Sequence, residues 1–177
     1  MEAVDNTFLS LLIHPKAKPP LDPATGKPVE HLADRIELLI DRLETDGETL
    51  LIPTPALSEF LVLAGNDGPK YLAEITSNRL FLLADFDPKA AIELAAMNIS
   101  IRSSGSKRGA AQGTWAKITF DRQIVAIAKV NNARVIYTDD GEVATFAERQ
   151  GITAVRTWEL PRPKAKQDVL PFGPAKP

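Results

Sequence analysis

Five carboxylates in this chain occupy positions suited to chemistry: Asp5, Glu59, Asp121 and the adjacent Asp139 and Asp140. Carboxylates gathered within a few ångströms oppose one another's ionisation, so a cluster of this kind needs a cation. The sequence has no cysteine and only two histidines, His14 and His31, one beside a proline and one at a helix start. Oxygen donors without thiolates or a histidine pair suit a hard ion, Mg²⁺ or Mn²⁺, better than Zn²⁺. Such an ion activates water and stabilises the oxygens of an in-line phosphoryl displacement, which makes phosphodiester hydrolysis the natural use of these residues.

The elements that must position these acids alternate along the chain. A short apolar start at Ala3 and Val4 leads into Asp5, and Phe8 to Ile13 reads as a short helix stopped at His14 by the following Pro15. Pro19, Pro20, Pro23 and Pro28 make 16–28 an extended surface loop. Leu32, Ile36, Leu39, Ile40 and Leu43 recur at helical spacing and predict an amphipathic helix over 30–45. A strand over 49–53 precedes Thr54-Pro55, read as a cap and a first-turn proline, which puts Glu59 on the second turn of a helix. A helix over 70–76, a strand over 80–84 and a helix from Asp87-Pro88 to Met97 follow.

The stretch 103–113 is rich in Gly, Ser and basic residues and reads as a loop. A helix through Ile124, Ile127 and Ala128 carries Asp121 in or near its first turn. A strand over 134–137 runs directly into Asp139 and Asp140, followed by a helix over 143–150 and a strand over 153–157. Strands alternating with helices predict a parallel sheet covered on both faces. In such a sheet ligands bind beyond the carboxyl ends of the strands, where all five acids can meet.

A chain of 177 residues without a long apolar run fits one globular body, 1–158, followed by a proline- and lysine-rich tail, 159–177. The start of the sequence lacks the basic-then-apolar pattern of a signal peptide, so the expected location is cytoplasmic, with no membrane partner. A net charge of −2 gives no global attraction to nucleic acid. A nucleic-acid partner would need a local basic patch, for which Arg102, Lys107, Arg108 and Lys117 in the middle and Arg156, Arg162, Lys164 and Lys166 near the end are candidates. Lys117 lies four residues before Asp121, where it can contact phosphate or simply pair with that acid. Singly, each acid also has a structural reading: Asp5 as a cap, Glu59 as a solvated helix residue, Asp121 as a helix-dipole partner, Asp139-Asp140 as a turn.

Taken in order, Val4-Asp5-Asn6-Thr7, Ile52 to Phe60 with Glu59, Asp121 to Ala128 and Val135 to Asp140 resemble the PIN-domain family, which includes the VapC-type toxins. The resemblance spans roughly residues 3 to 157. It implies a three-layer α/β/α sandwich around a parallel sheet, with an acidic Mg²⁺ or Mn²⁺ site that cleaves RNA endonucleolytically. Asp5, Glu59 and Asp121 match the first three family acids. The fourth follows a Thr or Ser by two residues, which selects Asp140, two after Thr138, over Asp139. Thr138 and Asn6 are expected to orient the carboxylates by hydrogen bonding. The family pattern has Thr or Ser directly after the first acid, whereas this chain has Asn6 there and Thr7 one place later. The resemblance also implies an antitoxin partner and a homodimer. The competing reading is a non-catalytic PIN-like module that binds RNA or protein. A phosphoryl-accepting aspartate domain is disfavoured, because neither an acidic pair after the first strand nor a lysine after a late one is clearly present.

Overall fold

Short strands and longer helices alternate in this computed structural model, which describes residues 1–14, 16–103 and 114–163. The strands are β1 (Glu2–Val4), β2 (Leu50–Pro53), β3 (Phe81–Ala84), β4 (Val135–Tyr137) and β5 (Thr153–Val155). The helices are α1 (Asn6–Ile13), α2 (Leu32–Thr45), α3 (Thr54–Ala64), α4 (Gly68–Ser77), α5 (Pro88–Ser103), α6 (Trp115–Val130) and α7 (Gly141–Arg149). All strand pairs are parallel, in the order β3-β2-β1-β4-β5. Successive strands therefore build outward on one side of β1, and the chain then returns to place β4 on its other side. The crevice between the ends of β1 and β4 is the switch point of the sheet, where open α/β folds bind ligands.

Alternating side chains on the strands feed two separate cores. Ala3, Leu51 and Ile136 point to one face and pack with Met97, Ile124, Ile127, Val143 and Phe146 of α5, α6 and α7. Val4, Leu50, Ile52 and Tyr137 point to the other and pack with Phe8, Leu39, Leu43, Phe60 and Ile75 of α1 to α4. The result is the expected three-layer α/β/α sandwich. Every β1 and β2 residue is buried, as befits strands covered on both faces.

The element boundaries depart from expectation in three places that matter. Helix α3 begins at Thr54, with Pro53 as its unbonded cap, so Thr54 is a helical residue and not the cap. Helix α6 begins at Trp115 under a cap from Thr114, whose side chain accepts the Lys117 N–H at 3.3 Å, and this places Asp121 beyond the first turn. Helix α5 runs six residues past Met97 to Ser103. Leu160 is buried, and the Arg35 guanidinium donates to its carbonyl, so the chain remains attached to the body at that point. The prolines of 16–28 enclose a single antiparallel bridge between Leu21 and Pro28.

Candidate active site

Asp5 and Asp140 are both helix N-caps. The Asp5 Oδ1 accepts from the Phe8 N–H at 2.8 Å at the start of α1, and the Asp140 Oδ1 accepts from Glu142 and Val143 N–H at 2.7 and 3.2 Å at the start of α7. A helix start favours negative charge and fixes the carboxylate through its orphan N–H groups. The structural reading of Asp5 as a cap is realised, and the cap places the same carboxylate within reach of the charge of Asp140.

The Thr138 hydroxyl joins these two acids. It donates to Asp5 Oδ2 and accepts the Asp140 N–H at 3.0 Å, so its donor and one of its two acceptor lone pairs are engaged. The orienting role expected of Asn6 falls to Thr7, whose hydroxyl donates to both Asp5 oxygens at 2.7 and 2.9 Å. The Asn6 Oδ1 is buried without a hydrogen-bond partner. The signal for Thr7 was its two-residue offset from Asp5, the spacing of a local side-chain turn.

Helices α3 and α6 contribute Glu59 and Asp121. The charge of Asp140 is felt by Asp5, Glu59 and Asp121, and that of Asp121 by Glu59, which places the four carboxylates in one electrostatic neighbourhood. On its Asp121 and Asp140 side lies the Lys117 ammonium, 2.7 Å from Asp121 Oδ2, 2.8 Å from Asp140 Oδ2 and 4.0 Å from the Glu142 carboxylate. Glu142 is a member of this neighbourhood that the sequence reading missed. Its position two residues past the cap Asp140, in the acidic first turn of α7, is the signal that marks it.

Burial pushes the Asp5 carboxyl up to about 6, against the opposing effect of the Phe8, Thr138 and Thr7 hydrogen bonds. Burial also raises Glu59, assisted by the charge of Asp121, and raises Asp121 despite its Lys117 partner. Asp140 goes the other way: burial opposes its ionisation, but Lys117 and the α7 N–H groups outweigh that and hold it below the usual range. Lys117 is pushed up because its two carboxylate partners outweigh its own desolvation.

Asp139 does not join the cluster. Its carboxylate accepts the Thr157 N–H at 2.8 Å and the Thr157 hydroxyl, so both oxygens tie β4 to the segment after β5. Of the two adjacent acids, Asp140 therefore lies beside Asp121 and Lys117, and Asp139 points to Thr157. Arg156 is likewise internal, donating to the carbonyls of Thr138 and Asp140 at 3.1 and 2.8 Å and bracing the turn that carries Asp140. Lys107 and Arg108 lie outside the described residues. His14 contacts the Tyr71 ring and accepts the Lys16 N–H, and His31 pairs with Asp34, which leaves neither at the acids.

No metal-binding cluster of three or more Asp, Glu or His side chains is assembled among the described residues. The donor set nonetheless fits a hard divalent ion in its chemistry: four carboxylates, no sulfur, and a cation already paired to two of them.

By sequence, the chain matches no protein-family model and no curated protein. Its fold matches solved structures over nearly their whole chains. VapBC2 from Rickettsia felis, bound to a DNA fragment from its promoter, aligns at 14% identity and a TM-score of 0.54 over 88% of this chain and 98% of that one. FitAB bound to an IR36 DNA fragment aligns at 18% and 0.56 over 92% and 99%. DNA-bound VapBC from Salmonella typhimurium aligns at 16% and 0.51 over 89% and 99%. These identities establish likeness of fold. The molecule is a PIN-like α/β/α domain, and among such domains its neighbours are chains of VapBC and FitAB complexes.

Proposed function

We propose that this protein is a Mg²⁺- or Mn²⁺-dependent endoribonuclease of the PIN type, acting as the toxin of a toxin–antitoxin pair. The observation that supports this reading is the gathering of Asp5, Glu59, Asp121 and Asp140 in one electrostatic neighbourhood at the switch point of the sheet, with the Lys117 ammonium already paired to Asp121 and Asp140. Asp5, Glu59, Asp121 and Asp140 would hold the ion. When bound, it would offset the negative charge that builds on the phosphate oxygens during displacement. Thr7, Thr138 and the two helix starts fix Asp5 and Asp140 before any ligand arrives, so little reorganisation is left for the reaction. A pocket of about 340 Å³ beside Asp5, lined by Asn6, Thr7, Ser10, His14, Lys16 and Lys18, supports passage of the strand along α1. Its lysines suit flanking phosphates.

The likeness to chains of VapBC and FitAB complexes supports a protein partner for this chain, here an antitoxin. Exposed Ile92 and Ile99, two turns apart on one face of α5, are the surface on which to test the homodimer. The binding-module reading draws on one specific observation, that Lys117 already neutralises two of the acids.

Cleavage of single-stranded and structured RNAs with Mn²⁺ tests the reading. Wild-type protein should cut and arrest growth when expressed alone, and Asp121→Asn should do neither while remaining folded. Undiminished cleavage by both Asp5→Asn and Asp121→Asn would overturn the proposal. Intact RNA with wild-type protein would give the lead to the binding module.

A further inference from the structure

The Lys117 side chain bridges two elements. Asp121 lies one turn ahead on its own helix, whereas Asp140 arrives from the turn between β4 and α7, and one ammonium lies within 2.8 Å of an oxygen from each. A surface lysine paired with an i+4 acid is ordinary. One ammonium shared between two elements, with a third carboxylate at 4.0 Å, is the coordination a cation site gives its occupant.

The oxygen involved is Oδ2 on both acids. Asp140 directs Oδ1 to the α7 N–H groups and leaves Oδ2 for Lys117, and Asp121 also uses Oδ2. These are the atoms a divalent ion would need. Two cations cannot share them at contact distance, since each would repel the other in a partly buried site. The Lys117 side chain is 43% exposed, so its four-carbon stem can swing toward solvent without moving α6.

We propose that Lys117 is the resident cation of the acidic site, and that a divalent ion must displace it from Asp121 and Asp140 before being held. The inference rests on the metal-dependent reading above. It makes the ion affinity of this chain the outcome of a competition with its own side chain. The displaced ammonium then faces the same opening and is free to meet a substrate phosphate, which joins the two roles the sequence allows for this residue.

Calorimetric titration of Mn²⁺ into full-length wild type, Lys117→Met, Lys117→Arg and Asp140→Asn tests this without RNA. Lys117→Met should bind Mn²⁺ about tenfold tighter than wild type, the effect of removing a competitor with two modest ion pairs. Lys117→Arg, which keeps the charge, should bind no tighter than wild type. In EDTA Lys117→Met should melt below wild type, and Mn²⁺ should raise its Tm by more. Equal or weaker Mn²⁺ binding by a folded Lys117→Met, with Asp140→Asn abolishing binding, overturns the competition and leaves the metal-dependent reading intact. Absence of Mn²⁺ binding in wild type and Lys117→Met alike overturns both. Lys117→Gln gives the same reading if the Met variant does not fold.

Discussion

Two charged networks flank the same sheet, and they are built on opposite terms. Beneath α2, Glu2 receives both arms of the Arg42 guanidinium at 3.1 and 2.6 Å, and the Tyr137 hydroxyl bonds to both partners. Arg42 is pushed up by its Glu2 hydrogen bonds, and Tyr137 is pushed up first by burial and then by Glu2. One rigid fork is matched by Glu2, with Asp46 at 3.6 Å on its own helix, and the network is closed. At the switch point four carboxylates share one neighbourhood with a flexible ammonium that pairs with only two of them, and three of the four are held above their usual range. A closed network specifies structure. An excess of like charge held by caps and hydroxyls is a standing demand for a ligand.

The sharpest way to break this contrast is to remove an acid from the open site. Asp121→Asn should reduce Mn²⁺-dependent RNA cleavage by roughly 10³-fold, about 4 kcal/mol of transition-state stabilisation, with an unfolding midpoint close to wild type. An equal loss on Arg42→Ala with the fold intact would erase the distinction between the networks. We expect instead that Arg42→Ala destabilises the fold by about 2 kcal/mol in urea titrations, less than a fully buried pair because Arg42 is partly exposed, and leaves Mn²⁺ affinity unchanged.

The acidity of Asp5 sharpens the contrast further. Its folded-state pKa near 6 lies above the ordinary 3.8, so the folded protein binds the extra proton between those values. Stability of the metal-free protein therefore falls as pH rises through that window, and the full penalty, about 3 kcal/mol, is present at pH 7. Asp5→Asn should accordingly melt several degrees above wild type at pH 7 in EDTA, and the difference should shrink toward pH 4. A difference that grows toward low pH would refute the assignment. Thr138→Val should weaken Mn²⁺ binding by roughly 10- to 100-fold in a calorimetric titration, because it frees Asp5 and Asp140 together. The smallest effect belongs to Asp139: Asp139→Asn should cost about 1–2 kcal/mol of stability, read by thermal melting, and leave Mn²⁺ affinity near wild type.

Much of this arrangement was legible from residue types alone. The strand–helix alternation and the apolar stripes gave all five strands, and the placement of acids after β1 and β4 follows from the switch-point rule. The Thr138 offset, which the family resemblance supplies, pointed to Asp140 over Asp139, and in the fold the Thr138 hydroxyl accepts the Asp140 N–H. Other features were hidden for physical reasons. Asn6 and Thr7 are both small polar residues beside Asp5, and only the φ and ψ of the cap decide which one reaches its carboxylate. Thr54 looks like a cap, yet the preceding proline already supplies the extended backbone that starts α3. The centrality of Lys117 depends on Asp140 arriving from 23 residues away, a contact that no i+4 pattern on α6 reports.

Strand β1 spans three residues, yet it joins both networks: Glu2 begins it and Asp5 follows it, roughly 10 Å apart. It therefore works as a ruler with a single graduation. Sliding it by one residue against β2 and β4 would exchange Ala3 and Val4 between two differently shaped cores while dragging both acids out of alignment. Insertions and deletions should be tolerated in the proline-rich loop after α1 long before they are tolerated here. The length of this strand, as much as the identity of any acid, is what natural variation of the protein must preserve.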